Sequence, residues 1–310
     1  MALEISLRLM YFGIDALSPT KMNSHVLILD SDFVKASDFP DVHYDLKPEI
    51  DSIFRGKRFR TNSSGMPDRE YSVEKPADVY RVAVIGSSWS MPTGIDAEKA
   101  YHVLLEEKLA TQDNSKSTEV LNFSVEYYGL GEMVATAEHK ALAYDPDLII
   151  FAITSITPGF LWETEKPPFS KKDTVPPFFR SYVFSALMEA AGKPFYANSQ
   201  RPRIKNKYGD YMRQVQRSME TLKEQLAGRD TEVAVIWLSF EKLNESMKSN
   251  SARHANNQGF TFTSVNLTER TEELGYEGGL LTGKIDRHPN ELAHRVIAET
   301  LYNELFSTEQ

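Results

Sequence analysis

Tyr80-Arg81-Val82-Ala83-Val84-Ile85-Gly86-Ser87-Ser88-Trp89-Ser90 is the stretch from which the rest of the chain can be read. A β-branched apolar run that stops at a glycine has the pattern of a strand buried on both faces of a parallel sheet. The segments downstream repeat the theme. Ala100, Val103, Leu104 and Leu109 mark one face of a helix expected over Asp96–Leu109, with Asp96 as a candidate N-cap. Val120-Leu121-Asn122-Phe123 reads as a second strand. Glu132 to Tyr144 reads as a helix stopped by Asp145-Pro146, and Leu148-Ile149-Ile150-Phe151-Ala152-Ile153 as a third buried strand. Strand and helix alternate, which predicts right-handed βαβ units on a parallel sheet and an α/β fold class.

Further along, the pattern breaks and then resumes. Between about residues 157 and 207, Pro158, Pro167, Pro168, Pro176 and Pro177 interleave with Phe160, Trp162, Phe169, Phe178, Phe179, Tyr182 and Phe184. That interval is too long for a plain connection. It is expected to be an insertion covering one sheet face, or a lid or wall of a substrate site. A basic segment, Arg201 to Lys207, closes it. A helix is expected over Gly209–Leu226, a fourth strand over Glu232–Leu238 and a closing helix over Asn290–Phe306. Upstream of the first strand, residues 1–78 read as an irregular extension packed on the core of the 79–310 domain, with the turn-forming run Arg60-Thr61-Asn62-Ser63-Ser64-Gly65 toward its end.

Composition narrows the function. The 310 residues carry a formal net charge of -9 and no long Lys/Arg run, so no nucleic-acid partner is expected. With no cysteine, disulfides, thiolate nucleophiles and Cys-ligated zinc are excluded. No stretch approaches the ~18 consecutive apolar residues of a membrane-spanning helix, and the N-terminus lacks the pattern of a secretory signal. The opening is nonetheless dense in apolar residues: Leu3, Ile5, Leu7, Leu9, Met10, Phe12 and Ile14. It is expected to pack on the core as a helix or strand. The alternative is that a membrane anchor precedes this point.

The chemistry-bearing residues are Ser88 and the pair Asp286 and His288. In a parallel α/β sheet, reactive groups collect beyond the carboxyl ends of the strands, where Ser88 falls. Nucleophilic acyl transfer needs a hydroxyl beside a base, with the base oriented by a third group. In Asp286-Arg287-His288-Pro289-Asn290 the carboxylate can hold one imidazole nitrogen and leave the other to take a proton from Ser88. His288 and His294 are six apart, which does not place both on one helical face, so no metal site is expected. Gly129-Leu130-Gly131 lacks the rest of a dinucleotide or phosphate loop, and no cofactor is assigned.

These residues resemble the blocks of the GDSL/SGNH hydrolase family. Ser88 and its surroundings look like the first block, where a strand runs into Gly-Asp-Ser. Asp286, His288, Pro289, Asn290, Ala293 and His294 look like the last. Asn122-Phe123-Ser124-Val125 and Tyr144-Asp145-Pro146-Asp147-Leu148-Ile149-Ile150 match the segments leading into the second and third blocks. The run 60–65 resembles one that precedes the first strand in a bacterial subset. The resemblance covers roughly residues 44–155 and 280–306. It implies a three-layer α/β/α sandwich of the SGNH/flavodoxin-like kind with a five-stranded parallel sheet. It also implies hydrolysis or transfer of an ester-linked acyl group, commonly by exported proteins acting on acylated carbohydrate, often behind an N-terminal anchor. An extracytoplasmic place is the expectation from that context, with a cytoplasmic one left open.

The chain departs from the family in four places. Ser87 stands where members carry Asp. The oxyanion glycine of the second block aligns with Tyr127, with Gly129 and Gly131 just beyond. The asparagine of the third block aligns with Ile156, near Thr154, Ser155 and Thr157. One residue instead of two separates Asp286 from His288. Tyr127, Tyr128, Gly129, Thr154 and Ser155 are therefore candidates for a rebuilt oxyanion or substrate site. Losing one oxyanion donor in such a site costs about 2.7–4 kcal/mol. Three functions fit these residues: an esterase removing acetyl or other short acyl groups from a carbohydrate or other small ester, an O-acyltransferase using the same triad, and an inactive domain that binds glycan or a partner.

Overall fold

In the computed structural model, residues 2–23, 33–111, 116–155, 157, 160–161, 177–190, 203–204, 208–241, 245–283 and 286–307 are described. A helix (α1, Ala2–Phe12) and a short one (α2, Pro19–Asn23) open the chain. Two antiparallel hairpins come next, β1 (Val34–Ala36) with β2 (Tyr44–Leu46), and β3 (Asp51–Phe54) with β4 (Lys57–Arg60). The regular part runs β5 (Val79–Gly86), α3 (Tyr101–Leu109), β6 (Ser117–Asn122), α4 (Leu130–His139) and β7 (Leu148–Ile153). After it come β8 (Phe160–Leu161), α5 (Tyr182–Ala190), β9 (Arg203–Ile204), α6 (Tyr208–Gln225) and β10 (Glu232–Ser239). The chain then closes with α7 (Glu245–Asn257), β11 (Thr261–Asn266), α8 (Leu267–Glu273) and α9 (Glu291–Leu305).

The main sheet has five parallel strands in the order β11-β10-β7-β5-β6. Side chains alternate across it with the period of two that a strand imposes. Val82 and Val84 face a layer built from α3, α8 and α9, whereas Ala83 and Ile85 face α4, α6 and α7. The fold is therefore a three-layer α/β/α sandwich. β6 lies on one side of β5 and β7 on the other, so the sheet grows in opposite directions from β5. A crevice opens at such a point beyond the carboxyl ends of the strands, where doubly wound folds bind ligands. Ser88 lies just past β5 at that place.

The helix expected from Asp96 is broken. Residues 97–99 form a 3-10 turn, Ala100 is extended, and α3 starts at Tyr101. Asp96 makes no cap bond and accepts from Lys57 Nζ at 2.8 Å instead. β11 is a strand that the hydrophobic pattern does not announce. It lies at the sheet edge, and its Thr-Phe-Thr-Ser run, exposed at Thr261 and half-buried after it, gives a weak apolar signal.

The first 78 residues hold more regular structure than their sequence suggests, because strands of three or four residues are too short to show a period. Phe33, Tyr44, Leu46, Phe54, Phe59 and Met66 join the same apolar cluster as α4 and one sheet face. Asn62 explains the turn-forming run. Its Oδ1 accepts from the N–H groups of Ser64 and Met66, and its Nδ2 donates to the Arg69 carbonyl. At Gly65, with φ +79°, a Cβ would lie 2.6 Å from the Leu46 carbonyl oxygen, so glycine is required.

α1 departs from the expected packing on the core. None of its residues is buried. Glu4 accepts from the N–H groups of Tyr182 and Val183 at the start of α5, and Arg8 donates to the Arg180 carbonyl. The charged side chains thus turn toward α5 while Leu3, Ile5, Leu9 and Met10 remain exposed. Among the described residues no helix is long and apolar enough to cross a membrane. Of the Pro/aromatic stretch, Trp162, Phe169 and their neighbours over 162–176 lie outside the described residues, as does most of the basic segment 201–207.

Candidate active site

Gly86 ends β5 because nothing larger fits: a Cβ there would lie 2.3 Å from Ser90 Oγ and 3.2 Å from the Ala152 Cβ. The chain then makes one tight turn in which the N–H groups of Ser90 and Met91 both donate to the Ser87 carbonyl. Ser87 and Ser90 are buried and Ser88 is half-buried. Polar groups pin the turn from beneath. Tyr101 donates its hydroxyl to Ser90 Oγ at 2.8 Å, and Asn122 Nδ2 donates to the Ser90 carbonyl at 2.9 Å.

The segment after β6 runs alongside this turn. Val125 N–H donates to the Gly86 carbonyl, and Glu126 N–H approaches Met91 Sδ. Tyr127 then takes φ +66°, the left-handed region that favours glycine. A tyrosine in that conformation costs on the order of 1–2 kcal/mol. Strain of this kind is concentrated at functional sites.

The loop before α9 carries Asp286 and His288. Asp286 Oδ1 is hydrogen-bonded to His288 Nδ1 and also accepts from His288 N–H at 3.2 Å. Thr282 N–H donates to the His288 carbonyl, and Leu281 bridges to Pro289. Asn290 caps α9 by accepting from Ala293 N–H at 3.0 Å, which accounts for the His-Pro-Asn run. His294 is buried one turn into α9. Its Nδ1 accepts from Tyr101 N–H, and burial together with the charges of His102 and His288 pulls its pKa down to about 3.

Two residues that sequence reasoning missed complete the cluster. Arg55 sits at the tip of the β3–β4 hairpin, with φ +50° beside Gly56 at φ +80°, the paired left-handed conformations of a type I′ turn. Its Nη1 donates to Asp286 Oδ2 at 2.8 Å and its Nη2 to Glu126 Oε1 at 3.0 Å. Glu126 is 1% exposed. Burial raises the Asp286 pKa, but His288 and Arg55 outweigh it and hold the carboxyl well below its ordinary range. Gly56 suits the second tip position, but arginine is not among the residues that announce such a turn, and nothing local tells where the tip points.

The candidates are not equally placed. Gly129 N–H donates to Glu132 Oε2 at 3.0 Å, and the buried Tyr128 hydroxyl donates to the Tyr44 carbonyl at 2.6 Å, so neither is offered to a substrate. Thr154 is buried and bonded to Thr157 through both its N–H and its hydroxyl. Ser155 and Tyr127 remain half-buried near the carboxyl ends of β7 and β6, and Ile156 lies outside the described residues. Among the described residues neither Ser88 Oγ nor His288 Nε2 has a hydrogen-bond partner, and the two are not bonded to each other. The described groups close enough to share an ion are Asp41, Glu138 and His139, and none belongs to this cluster.

No family model matches the chain, and no curated protein does. Solved structures to which it is similar include esterases and a protein of the G-D-S-L family. An acetyl xylan esterase is 13% identical, with 73% of this chain and 100% of that one covered at a TM-score of 0.43. A protein of the G-D-S-L family from Desulfitobacterium hafniense is 12% identical over 72% of this chain and 98% of its own, also at 0.43. A variant of an acetyl-xylooligosaccharide esterase from Geobacillus Stearmophilus is 12% identical over 74% and 95%, at 0.45.

Proposed function

We propose that the chain is a serine-dependent esterase removing acetyl or another short acyl group from a carbohydrate, with Ser88 as nucleophile, His288 as base and Asp286 as its orienting carboxylate. The observation that carries this reading is the Asp286–His288 pair: a carboxylate on Nδ1 keeps the proton there and leaves the Nε2 lone pair as the base. Ser88 Oγ attacks the ester carbonyl as His288 Nε2 takes its proton. The tetrahedral oxyanion is met by Ser88 N–H, with Tyr127 and Ser155 as candidates for further donors. His288 then returns the proton to the departing sugar hydroxyl, and water repeats the sequence on the acyl-serine. A half-buried aromatic pair beside the nucleophile, Trp89 and Phe240 with centroids 4.6 Å apart, offers apolar surface for a sugar ring.

A second reading is a hydrolase fold that binds glycan without cleaving it. It is favoured by the engaged groups of Gly129 and Thr154. A serine-directed fluorophosphonate, with adducts mapped by mass spectrometry, separates the two. Labelling at position 88 is expected to vanish in Ser88→Ala and to fall by about 10³-fold or more in His288→Ala. A folded wild-type protein that takes no label overturns the esterase. Product analysis with an acceptor sugar then distinguishes hydrolysis from acyl transfer.

A further inference from the structure

We propose that Arg55 and Glu126 form a positioning pair that sets how strongly Asp286 supports a proton on His288. The proposal rests on the reading of Asp286 and His288 as the basic half of an esterase site. Four observations support it.

The first is the division of one carboxylate. Asp286 gives Oδ1 to His288 and Oδ2 to Arg55, so its rotation is fixed from both sides. The second is reach. Arg55 Nη2 continues to Glu126, which lies between Val125, bonded to the Gly86 carbonyl, and the left-handed Tyr127. One guanidinium thereby joins the loop of the base to the segment flanking the nucleophile's turn. The third is conformation. Asn, Asp or Gly are the favoured residues at the left-handed tip position that Arg55 occupies, and a hairpin serving packing alone has no use for a cation there. The last is convergence. A Cβ on Gly94, six residues past Ser88, would lie 3.8 Å from the Arg55 Cβ and 3.6 Å from Thr282 Cγ2, so tip, turn and loop meet.

The electrostatics give the pair a signed effect. An imidazolium at His288 is stabilised by the Asp286 carboxylate, and the cation sharing that carboxylate opposes it. Glu126, on the far side of the guanidinium, tempers the opposition. Among the described residues, the other charged or titratable groups around the loop are Arg287 beside His288, the buried His294 on α9 and, toward solvent, Lys57 with Asp96 and Glu291. Neutralising Arg55 should therefore favour the protonated imidazole, and neutralising Glu126 should disfavour it. A role confined to packing would not produce opposite signs.

The test tracks the His288 ring by nitrogen NMR across pH in the full chain, alongside fluorophosphonate labelling of Ser88. Arg55→Met is expected to move the His288 midpoint up on the order of one pH unit. Glu126→Gln is expected to move it down by less, and Arg55→Lys to stay closest to wild type. Arg55→Met strands a buried carboxylate and can unfold the chain, so the double variant Arg55→Met/Glu126→Gln removes both charges and is expected to sit above wild type. Coincident midpoints in the folded double variant and wild type, or single-variant shifts of the same sign, overturn the pair. Labelling of Ser88 with coincident midpoints leaves the esterase and removes the pair. Separated midpoints with no label on wild type keep the pair and remove the esterase.

Discussion

The β3–β4 hairpin and helix α1 both precede the main sheet, and both fall outside the alternation of strand and helix that defines the fold. Their fates differ. The hairpin is the more polar of the two, yet Phe54 and Phe59 are each 1% exposed and pack edge-on against Phe33 and one another. Its tip delivers Arg55 to Asp286 and Glu126. α1 is apolar along most of its length, yet none of its residues is fully buried: Glu4 bonds the start of α5, the Tyr11 and Phe12 rings lie against Tyr182, and Leu3, Ile5, Leu9 and Met10 look outward. Apolar content alone therefore does not decide what is buried. Two well-placed aromatic rings tie a short polar hairpin to the core, while a helix whose charged side chains are drawn inward presents its aliphatic ones to the outside.

The contrast is sharpest in stability. Phe59→Ala is expected to cost about 3–5 kcal/mol, since it removes a fully buried ring and leaves a cavity in the Phe33–Phe54 cluster. Urea denaturation measures this. A loss under about 1 kcal/mol would show that the hairpin is as peripheral as α1.

An intermediate effect is expected from acid at the α1–α5 contact. Burial raises the Glu4 pKa, but the N–H groups of Val183 and Tyr182, together with Arg8, outweigh it and hold Glu4 at about 2 against an ordinary 4.5. A depressed carboxyl contributes stability that is complete above its unfolded value and is lost as pH falls through the folded one. The protection factors of the Tyr182 and Val183 amides, each exchange rate taken against the intrinsic rate at the same pH, should thus be high at pH 6 and fall progressively between about pH 4.5 and 2. Glu4 is solvated enough that about 1 kcal/mol is at stake. An equal fall in protection in the Glu4→Gln variant would show that another group is responsible.

The smallest effect belongs to the outer face of α1. Leu9→Ala should change the denaturation free energy by no more than about 0.5 kcal/mol, as for other exposed sites. A cost near that of Phe59→Ala would mean that this face is covered in solution, and the contrast between hairpin and helix would collapse.

How far the site can be read from the chain obeys the same division. Ser88 is legible because a buried strand, a glycine exit and a serine are neighbours in sequence, and the sheet places such a serine in the crevice at the switch point. Asp286 and His288 are legible because two residues apart is close enough to bond across a loop. Arg55 is not, since it is 231 positions from Asp286 and 71 from Glu126. Nor can the sequence show that Tyr127 keeps a glycine-like conformation, or that Gly129 and Thr154 engage their polar groups with Glu132 and Thr157. Such pairings depend on which donor reaches which acceptor after the layers have packed.

The order of residues along the chain was enough to dictate the alternation of buried strands and amphipathic helices, hence a parallel α/β sheet with Ser88 at its carboxyl edge. Those features are encoded in near neighbours, where hydrophobic periodicity acts. Packing in three dimensions chose which polar groups surround the serine and histidine, and which apolar residues near the N-terminus lie inside. A buried charge must find its partner in space, and the partner of Arg55 was brought to it by the packing of a hairpin against a sheet formed far along the chain.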